Sequence, residues 1–235
     1  MTAQHPLRGD VAVLVPAAGL GTRLGPGAPK ALRDLAGASL LVHAIRRVVA
    51  APSVGCVAVA APPEHAEHAR TLLADLVPAG VHLAVVPGGE TRQLSVAAAL
   101  AAVPPGPQIV LVHDAARALA PTELMERVAA AVRDGHDAVI PVLPVTDTVK
   151  QVDESSHVVA TVDRSVLRVV QTPQGFRRPV LEAAHRAAVD PVTDDAALVE
   201  KIGVRVFCVP GAHSALKITN PTDLTLAELL LHSDG

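Results

Sequence analysis

Short apolar runs alternate along the chain with segments whose apolar residues recur at helical spacing. Continuous apolar runs bounded by Gly or Pro are typical of strands buried on both faces, and they predict strands over 10–16, 55–61, 81–87, 108–117 and 137–144. Between these runs, apolar positions three and four residues apart predict helices over 39–51, 63–76, 91–103 and 121–135. The rhythm of helix, strand and helix resumes late in the chain, over 178–189, 194–202, 204–210, 216–219 and 220–231.

Repeated strand-then-helix units imply that neighbouring strands run parallel and that helices cover both faces of the sheet. The chain has 235 residues, of which 50% are hydrophobic and 18% are charged, so it has a globular composition and enough length for a real core. We therefore predict an α/β fold in a single domain spanning 1–235. Its expected centre is a Rossmann-like, mostly parallel twisted sheet with helices on both faces.

The pattern changes after Pro144. Polar and apolar residues alternate through "DTVKQVDESSHVVATVDRS" (147–165) around the turn-like "DESSH", which predicts a β-hairpin of 148–153 against 157–163. A hairpin that exposes valines on one face is hard to keep soluble by itself. We therefore expect a protruding arm over about 145–166 that packs on a partner.

The first strand runs into an unusual loop, "VLVPAAGLGTRLGPGAPKAL" (13–32). Small residues let backbone N–H groups approach a phosphate closely, and Arg23 and Lys30 would neutralise its charge. The glycine spacing is one residue too long for a dinucleotide-binding loop, and Lys30 lacks the neighbours that a P-loop lysine has. The plain alternative is a mobile Gly/Pro loop with incidental cations.

Two further predicted strands end in Gly or in charged residues. "PGGETRQLS" (87–95) follows the third strand, and "VHDAAR" (112–117) closes the fourth. Because ligands of open α/β sheets bind at the carboxyl ends of the strands, these segments and the opening loop should meet at one edge. Asp114 either caps the helix that follows or holds Mg²⁺ beside a triphosphate, and Ser95 alone would be an ordinary helix residue.

Composition excludes several classes of function. The formal net charge is −3, and the chain has no Trp, no Tyr and only two Phe, which argues against a nucleic-acid partner because such proteins are basic and stack bases on aromatic rings. No apolar run is long enough to span a membrane. Cys56 and Cys208 lie in apolar segments, which is typical of buried, reduced thiols in a cytoplasmic protein.

The order of several motifs resembles one enzyme family. "PAAGLGTRL…PK", "GGETRQLS", "VHDAARAL", "DTVK", "TVDR", "QTPQGF", "TDDAALVE" and "LKITNPTDL" together are similar to the 2-C-methyl-D-erythritol 4-phosphate cytidylyltransferases of the non-mevalonate isoprenoid pathway. The resemblance runs from about residue 10 to 231. It implies a glycosyltransferase-A-like nucleotidyltransferase fold. It also implies transfer of CMP from CTP to methylerythritol phosphate, giving the CDP-alcohol and pyrophosphate with Mg²⁺.

The resemblance also implies roles for particular residues. Two pairs would be catalytic, the first stabilising charge on the phosphates and the second positioning the sugar phosphate: Arg23 and Lys30, and Arg164 and Lys217. A CTP site would be formed by Ala17, Ala18, Gly19, Gly88, Gly89, Glu90, Ser95, Asp114 and Ala115, with Asp114 holding the Mg²⁺. The sugar phosphate would be surrounded by Arg117, Thr148, Arg164, Thr172, Thr193 and Lys217. In the family the hairpin arm is exchanged across a homodimer, so Thr148 and Arg164 would complete the partner's site.

Three other functions compete with this interpretation. A ribitol 5-phosphate cytidylyltransferase would share the fold and most of the CTP motifs but differ in the polyol pocket. A non-catalytic nucleotide-binding protein on the same scaffold would be expected to lose a cation or the carboxylate, yet Arg23, Lys30, Asp114 and Lys217 are all present. A hydride-transferring Rossmann enzyme is disfavoured by the glycine spacing. Glu90 departs from the family's pattern, which has Asp at this base-facing position.

Overall fold

The computed structural model describes residues 7–190 and 192–233, so residues 1–6, 191 and 234–235 of the predicted domain lie outside the described residues. Within this part of the chain the strands are β1 (Val11–Pro16), β2 (Asp34–Leu35), β3 (Ala38–Ser39), β4 (Val54–Ala61), β5 (His82–Pro87), β6 (Ile109–Val112), β7 (Ala138–Pro144), β8 (Val149–Val152), β9 (Val158–Val162), β10 (Arg168–Val170), β11 (Gln174–Arg177) and β12 (Val206–Pro210). The α-helices are α1 (Leu40–Ala50), α2 (Ala66–Ala74), α3 (Arg92–Ala101), α4 (Thr122–Arg133), α5 (Arg178–Ala187), α6 (Asp195–Lys201) and α7 (Pro221–Ser233).

The central sheet is mostly parallel, as predicted. Its strand order is β10-β7-β11-β6-β1-β4-β5, with β12 also paired to β7. The pairs β6–β1, β1–β4, β4–β5 and β7–β12 are parallel. Their carboxyl ends therefore lie along one edge of the sheet.

The sheet departs from the prediction at β11, which runs antiparallel between β6 and β7. The sequence pattern did not predict this strand, because its four residues include Gly175 and a polar start. Gly175 is required by packing: a Cβ there would lie 2.5 Å from Val128 Cγ1 on α4. The predicted strand over 108–117 is also shorter, ending at Val112, and the predicted segment 216–219 forms neither helix nor strand.

Helices cover both faces of the sheet. Along β1, the odd positions Val11, Val13 and Val15 face a core that includes α1, α2 and α4, while Ala12 and Leu14 face a core that includes α3, α5 and α6. Side chains of a strand alternate between faces, so a strand buried on both sides must be apolar throughout. This is the physical reason for the continuous apolar runs in the sequence.

A smaller cluster supports the carboxyl edge of the sheet. Leu35, Leu40, Leu119, Ile218 and Ala227 pack together, and the Ile218 N–H donates to the Ala116 carbonyl at 2.8 Å. The start of α7 is capped reciprocally. Asp223 accepts from the Thr219 and Asn220 N–H groups at 2.7 and 2.9 Å, and Asn220 Oδ1 accepts from the Asp223 N–H at 3.0 Å. These contacts fix the segment that carries Lys217.

The predicted hairpin forms a two-stranded sheet of its own, β8–β9, separate from the main sheet. Its strands fall within the predicted limits. Val152, Val158 and Val159 are each more than half exposed in the single chain. The hairpin of one chain therefore presents an apolar surface to solvent.

The two cysteines differ in environment. Both are free thiols, and Cys56 is buried in β4, where burial raises the pKa of its thiol to about 12. The prediction that Cys208 is buried is wrong: it is exposed on β12, which pairs only with β7 among the described strands. Among the residues that the structure describes, no helix is both long enough and apolar enough to cross a bilayer.

The two phenylalanines provide a test of this core. Phe176 on β11 is fully buried, whereas Phe207 is 44% exposed and stacks on the His136 ring. We expect Phe176→Ala to lower the free energy of unfolding by about 3–5 kcal/mol, because it leaves a cavity. Phe207→Ala should cost about 1 kcal/mol or less. Urea unfolding measures both, and equal losses would contradict a buried β11.

Candidate active site

A cavity of about 330 Å³ lies at the carboxyl edge of the sheet, within the size range of small-molecule sites. It is reached by the segments that follow β1, β5 and β6 and by the segment before α7. Most of the predicted site residues line it: Ala17, Ala18, Gly19, Arg23, Lys30, Gly89, Glu90, Ser95, Asp114, Ala115 and Lys217. The prediction that three strand ends meet at one edge is therefore confirmed.

Backbone hydrogen bonds fix the loop after β1 to itself and to β4. The Lys30 N–H donates to the Gly19 carbonyl at 3.2 Å, and the Ala17 N–H donates to the Ala60 carbonyl at 2.8 Å. Gly21 has a φ of 69°, and a Cβ on it would lie 2.4 Å from Lys30 Cβ. Only glycine fits there without strain or collision. The loop thus brings Arg23 and Lys30 to the cavity.

Lys30 is a cation in an environment that disfavours its charge. Burial lowers the pKa of Lys30 to about 8, the neighbouring charges of Lys217 and Arg23 contribute to the lowering, and Asp114 partly opposes them. Among the described residues, the cavity is lined by two carboxylates, Glu90 and Asp114, and by four cationic side chains: Arg23, Lys30, Arg92 and Lys217. An anion with several charges would relieve this imbalance.

Asp114 lies between two of these cations. Its Oδ1 is 3.1 Å from Arg92 Nε and its Oδ2 is 2.9 Å from Lys217 Nζ. Burial by itself would raise the pKa of Asp114, but Arg92 and Lys217 outweigh it and hold that pKa well below its usual range. Asp114 is therefore ionised at neutral pH.

Thr172 holds Asp114 from behind. The buried Thr172 Oγ1 accepts the Asp114 N–H at 3.0 Å and lies 3.2 Å from His113 Nδ1. His113 is fully buried, and burial lowers the pKa of its imidazole to about 4. The imidazole is therefore neutral. Thr172 does not line the cavity itself, and it acts on the cavity by fixing the backbone of Asp114.

The loop after β5 lines the cavity mainly with backbone. A Cβ on Gly88 would lie 2.4 Å from Ala18 Cβ, so the two loops touch. The buried Ser95 Oγ accepts the Gly89 N–H at 3.2 Å and bonds to the Thr91 carbonyl at 3.0 Å. Ser95 is thus more than an ordinary helix residue, because it fixes the loop that faces the cavity.

Several predicted residues lie outside the cavity lining: Gly88, Arg117, Thr148, Arg164, Thr172 and Thr193. Arg117 donates to the Ala215 carbonyl at 2.7 Å and to the Val170 carbonyl at 3.2 Å. Arg164 is exposed beside the hairpin and donates to the Thr146 carbonyl. Thr148 and Thr193 are exposed. In one chain, therefore, Thr148, Arg164 and Thr193 remain apart from the cavity that Lys30 lines.

Sequence reasoning missed Arg92 and Asp195. Arg92 Nη1 lies 2.6 Å from Asp195 Oδ2, so Arg92 joins two carboxylates, the other being Asp114. One signal was available within the quoted "GGETRQLS" motif. Arg92 is the first residue of α3, where the helix dipole disfavours a cation. An arginine at this position indicates an acidic partner elsewhere in the fold.

The donor set fits Mg²⁺ in only one way. Among the described residues, no group of three or more His, Cys, Asp or Glu side chains could enclose a metal ion. Mg²⁺, however, is commonly held by one or two carboxylates together with substrate phosphates. The ionised Asp114 at the cavity meets that requirement.

Comparison with known proteins identifies the family. A family model described as 2-C-methyl-D-erythritol 4-phosphate cytidylyltransferase matches residues 11–233. The chain belongs to this family. The protein of that name from Streptomyces avermitilis is 52% identical over 233 residues, which cover 96% of this chain and 93% of that protein. The one from Saccharopolyspora erythraea is 53% identical over 225 residues, with 94% and 99% covered.

Solved structures of cytidylyltransferase family members share the fold. The 2-C-methyl-D-erythritol 4-phosphate cytidylyltransferase of Thermus thermophilus is 36% identical with a TM-score of 0.77, covering 95% of this chain and 99% of that one. The 4-diphosphocytidyl-2C-methyl-D-erythritol synthase of Anaerococcus prevotii is 27% identical with a TM-score of 0.82 and the same coverage. The chain is therefore a nucleotidyltransferase with the predicted α/β fold.

The charge imbalance at Lys30 gives a prediction for this family member. We expect Lys30 to lose its proton near pH 8, which NMR titration of ¹³C-methylated lysines measures, with Lys30→Gln identifying the signal. In Lys217→Gln the pKa of Lys30 should rise, because one repelling charge is gone. A Lys30 signal that titrates at the ordinary value of 10.5 would contradict the geometry of the cation cluster.

Proposed function

We propose that the protein transfers CMP from CTP to 2-C-methyl-D-erythritol 4-phosphate, releasing pyrophosphate, in the non-mevalonate route to isoprenoid precursors. The product is 4-diphosphocytidyl-2-C-methyl-D-erythritol. Family membership over residues 11–233 supports the reaction. The observation that carries it in the structure is the cavity in which four cations face two carboxylates, since a triphosphate and a sugar phosphate bring the missing negative charge.

The reaction is an in-line displacement at phosphorus. A phosphate oxygen of the sugar alcohol attacks the α-phosphorus of CTP, and the bond to the pyrophosphate oxygen breaks. Such transfers depend on positioning and on neutralising charge rather than on covalent help from the protein. Arg23 and Lys30 stabilise the charge on the reacting phosphates, and the phosphates in turn favour the protonated form of Lys30.

The nucleotide lies against the two loops that follow β1 and β5. The CTP site is formed by backbone groups and short side chains of these two loops, of the start of α3 and of the segment after β6: Ala17, Ala18, Gly19, Gly88, Gly89, Glu90, Ser95 and Ala115. Of these, Gly88, Gly89, Glu90 and Ser95 lie near the cytidine. Ser95 supports this by fixing Gly89 through its hydroxyl. Recognition through backbone amides suits a chain with only two aromatic rings of the Phe, Tyr and Trp type.

Asp114 would hold Mg²⁺, together with the nucleotide phosphates. The ion, when bound, supplies positive charge that neutralises the triphosphate and fixes its orientation. Asp114 is suited to this because Thr172 fixes its backbone and because its pKa is well below the usual range. Lys217 Nζ, which donates to Asp114 Oδ2, keeps two further N–H donors for the phosphate of the sugar alcohol.

The sugar phosphate binds on the side of Lys217. Arg117 and Thr172 shape that side from within the chain, through the Ala215 carbonyl and the Asp114 backbone respectively. Thr193, Thr148 and Arg164 complete it, with Arg164 and Lys217 positioning the phosphate for attack. Thr148 and Arg164 border a hairpin that, among the described strands, pairs with none of the main sheet. We propose that they come from the partner of a homodimer, whose arms cover each other's exposed valines.

We place the enzyme in the cytoplasm. Both cysteines are free thiols, one of them exposed, which suits a reducing compartment.

A comparison of two substrates tests the proposed reaction. We expect pyrophosphate release with CTP, Mg²⁺ and methylerythritol phosphate, and none with ribitol 5-phosphate in its place. The measurement is coupled pyrophosphate detection, with product mass confirming the CDP-alcohol. Release with ribitol phosphate alone would overturn the substrate but keep the CTP site. If neither substrate gave pyrophosphate release, a non-catalytic nucleotide-binding protein would be favoured.

Mixing two inactive variants tests the exchanged arm. Lys30→Ala and Arg164→Ala should each lower kcat by about 10²–10³-fold, because each removes a charge that the transition state needs. In a mixed dimer, the Lys30→Ala chain lends its Arg164 to a pocket that still has Lys30. Random mixing therefore restores about one quarter of wild-type activity.

The control is Lys201→Ala, which removes an exposed lysine at the end of α6 and should leave kcat unchanged. If each chain used its own arm, remixing the two inactive variants would restore nothing, and the exchange would be disproved.

A further inference from the structure

A buried ion pair joins Arg92 to Asp195, and no step of the proposed transfer uses it. Arg92 Nη1 lies 2.6 Å from Asp195 Oδ2, and the Asp195 side chain is 1% exposed. The second oxygen of Asp195 accepts from His185 Nε2 at 3.1 Å. Both carboxylate oxygens are therefore engaged, one by each partner.

Arg92 extends from this pair to the cavity. Its Nε lies 3.1 Å from Asp114 Oδ1, its side chain is 29% exposed, and it lines the cavity. Its Nη2 has no acceptor among residues 7–190 and 192–233. The guanidinium thus joins two carboxylates through two nitrogens and keeps further donor capacity, which suits planar recognition of a phosphate.

Asp195 is itself held firmly to the sheet. The buried Gln174 of β11 donates to Asp194 Oδ2 at 2.7 Å and accepts the Ala196 N–H at 3.1 Å. These two bonds hold the residues on either side of Asp195 and so fix the start of α6. Asp195 also occupies the first position of α6, where the helix dipole favours a carboxylate. It is a rigid anchor.

Arg92 has the opposite relation to its own helix. As the first residue of α3 it meets an unfavourable dipole, so its position depends on the two carboxylates. A purely structural ion pair would not need an arginine that remains at a cavity wall. The arrangement resembles a supported site, in which a residue behind the contacting group fixes that group's orientation.

We propose that Asp195, supported by His185, is a positioning residue for Arg92, and that Arg92 contacts the phosphates of the bound nucleotide. The inference rests on the proposed cytidylyl transfer. Arg92 touches substrate and acts directly, whereas Asp195 acts through Arg92. The "TDDAALVE" motif then contributes to the reaction from outside the cavity.

The central test is Asp195→Asn, which keeps the shape and removes the charge. We expect kcat to fall by about 10–100-fold, with the KM for CTP changed by less than about threefold, since orientation and not binding is lost. Glu200→Gln is the matched control: it makes the same charge change on the same helix, at an exposed position. Its kcat should stay within about threefold of wild type.

A double-mutant cycle separates positioning from mere stability. Adding Asp195→Asn to Arg92→Gln should cost no further activity, because Asp195 has nothing left to position. The double variant carries no unpaired buried charge, so it should fold even if Arg92→Gln does not. Arg92→Lys keeps the charge but cannot bridge two carboxylates, so its kcat should fall. Its melting temperature should stay within a few degrees of wild type, because the loss of stability is small.

The outcomes are distinct. Active wild-type protein with an Asp195→Asn variant as active as Glu200→Gln would overturn this inference alone. Losses that multiply in the double variant would also overturn it, since the two residues would then act separately. Wild-type protein that forms no pyrophosphate would overturn the proposed function, and this inference with it.

Discussion

The charge balance of the site depends on the ion pairs that the carboxylate of Asp114 makes. Asp114 holds Arg92 and Lys217 at its two oxygens, and Thr172 fixes its backbone. Without a fixed anion, cations at this density would repel one another and turn toward solvent. With it, they are assembled before any phosphate arrives, which is what electrostatic preorganisation requires.

The sheet determines why these groups can meet at all. Asp114 follows β6, the Arg23 loop follows β1, and Arg92 follows β5. Parallel pairing of β6, β1, β4 and β5 brings all of these strand ends to one edge. The antiparallel β11 adds what a purely parallel sheet would not supply. It lies next to β6, so Thr172, just before it, reaches Asp114, and Gln174 reaches the start of α6.

Sequence patterns predicted the parts of this molecule that depend on local order. Continuous apolar runs predicted β1, β4 and β5, and for β1 and β4 the reason is that both faces are buried. Glycines and cations after β1 predicted the loop that carries Lys30, because φ values and close approach are properties of neighbouring residues. The limits of the hairpin were also visible in its alternation.

What sequence patterns did not predict depends on contacts between distant segments. β11 is stabilised as a strand by its neighbours β6 and β7, and Arg92 and Asp195 are 103 positions apart, so no local spacing relates them. The assignment of roles to Thr148 and Arg164 came from resemblance, because a site shared between two chains has no signature in one.

The buried charge of Lys30 lowers the stability of the folded protein. The pKa of Lys30 is about 8 in the folded chain against an ordinary value of 10.5, so the unfolded state binds more protons between these two values. Stability from this group therefore rises with pH across that window and is lowest below pH 8, where the buried charge is fully present. At neutral pH the fold thus carries a destabilised cation. A polyphosphate that enters the cavity offsets that penalty, because its negative charge favours the protonated form of Lys30.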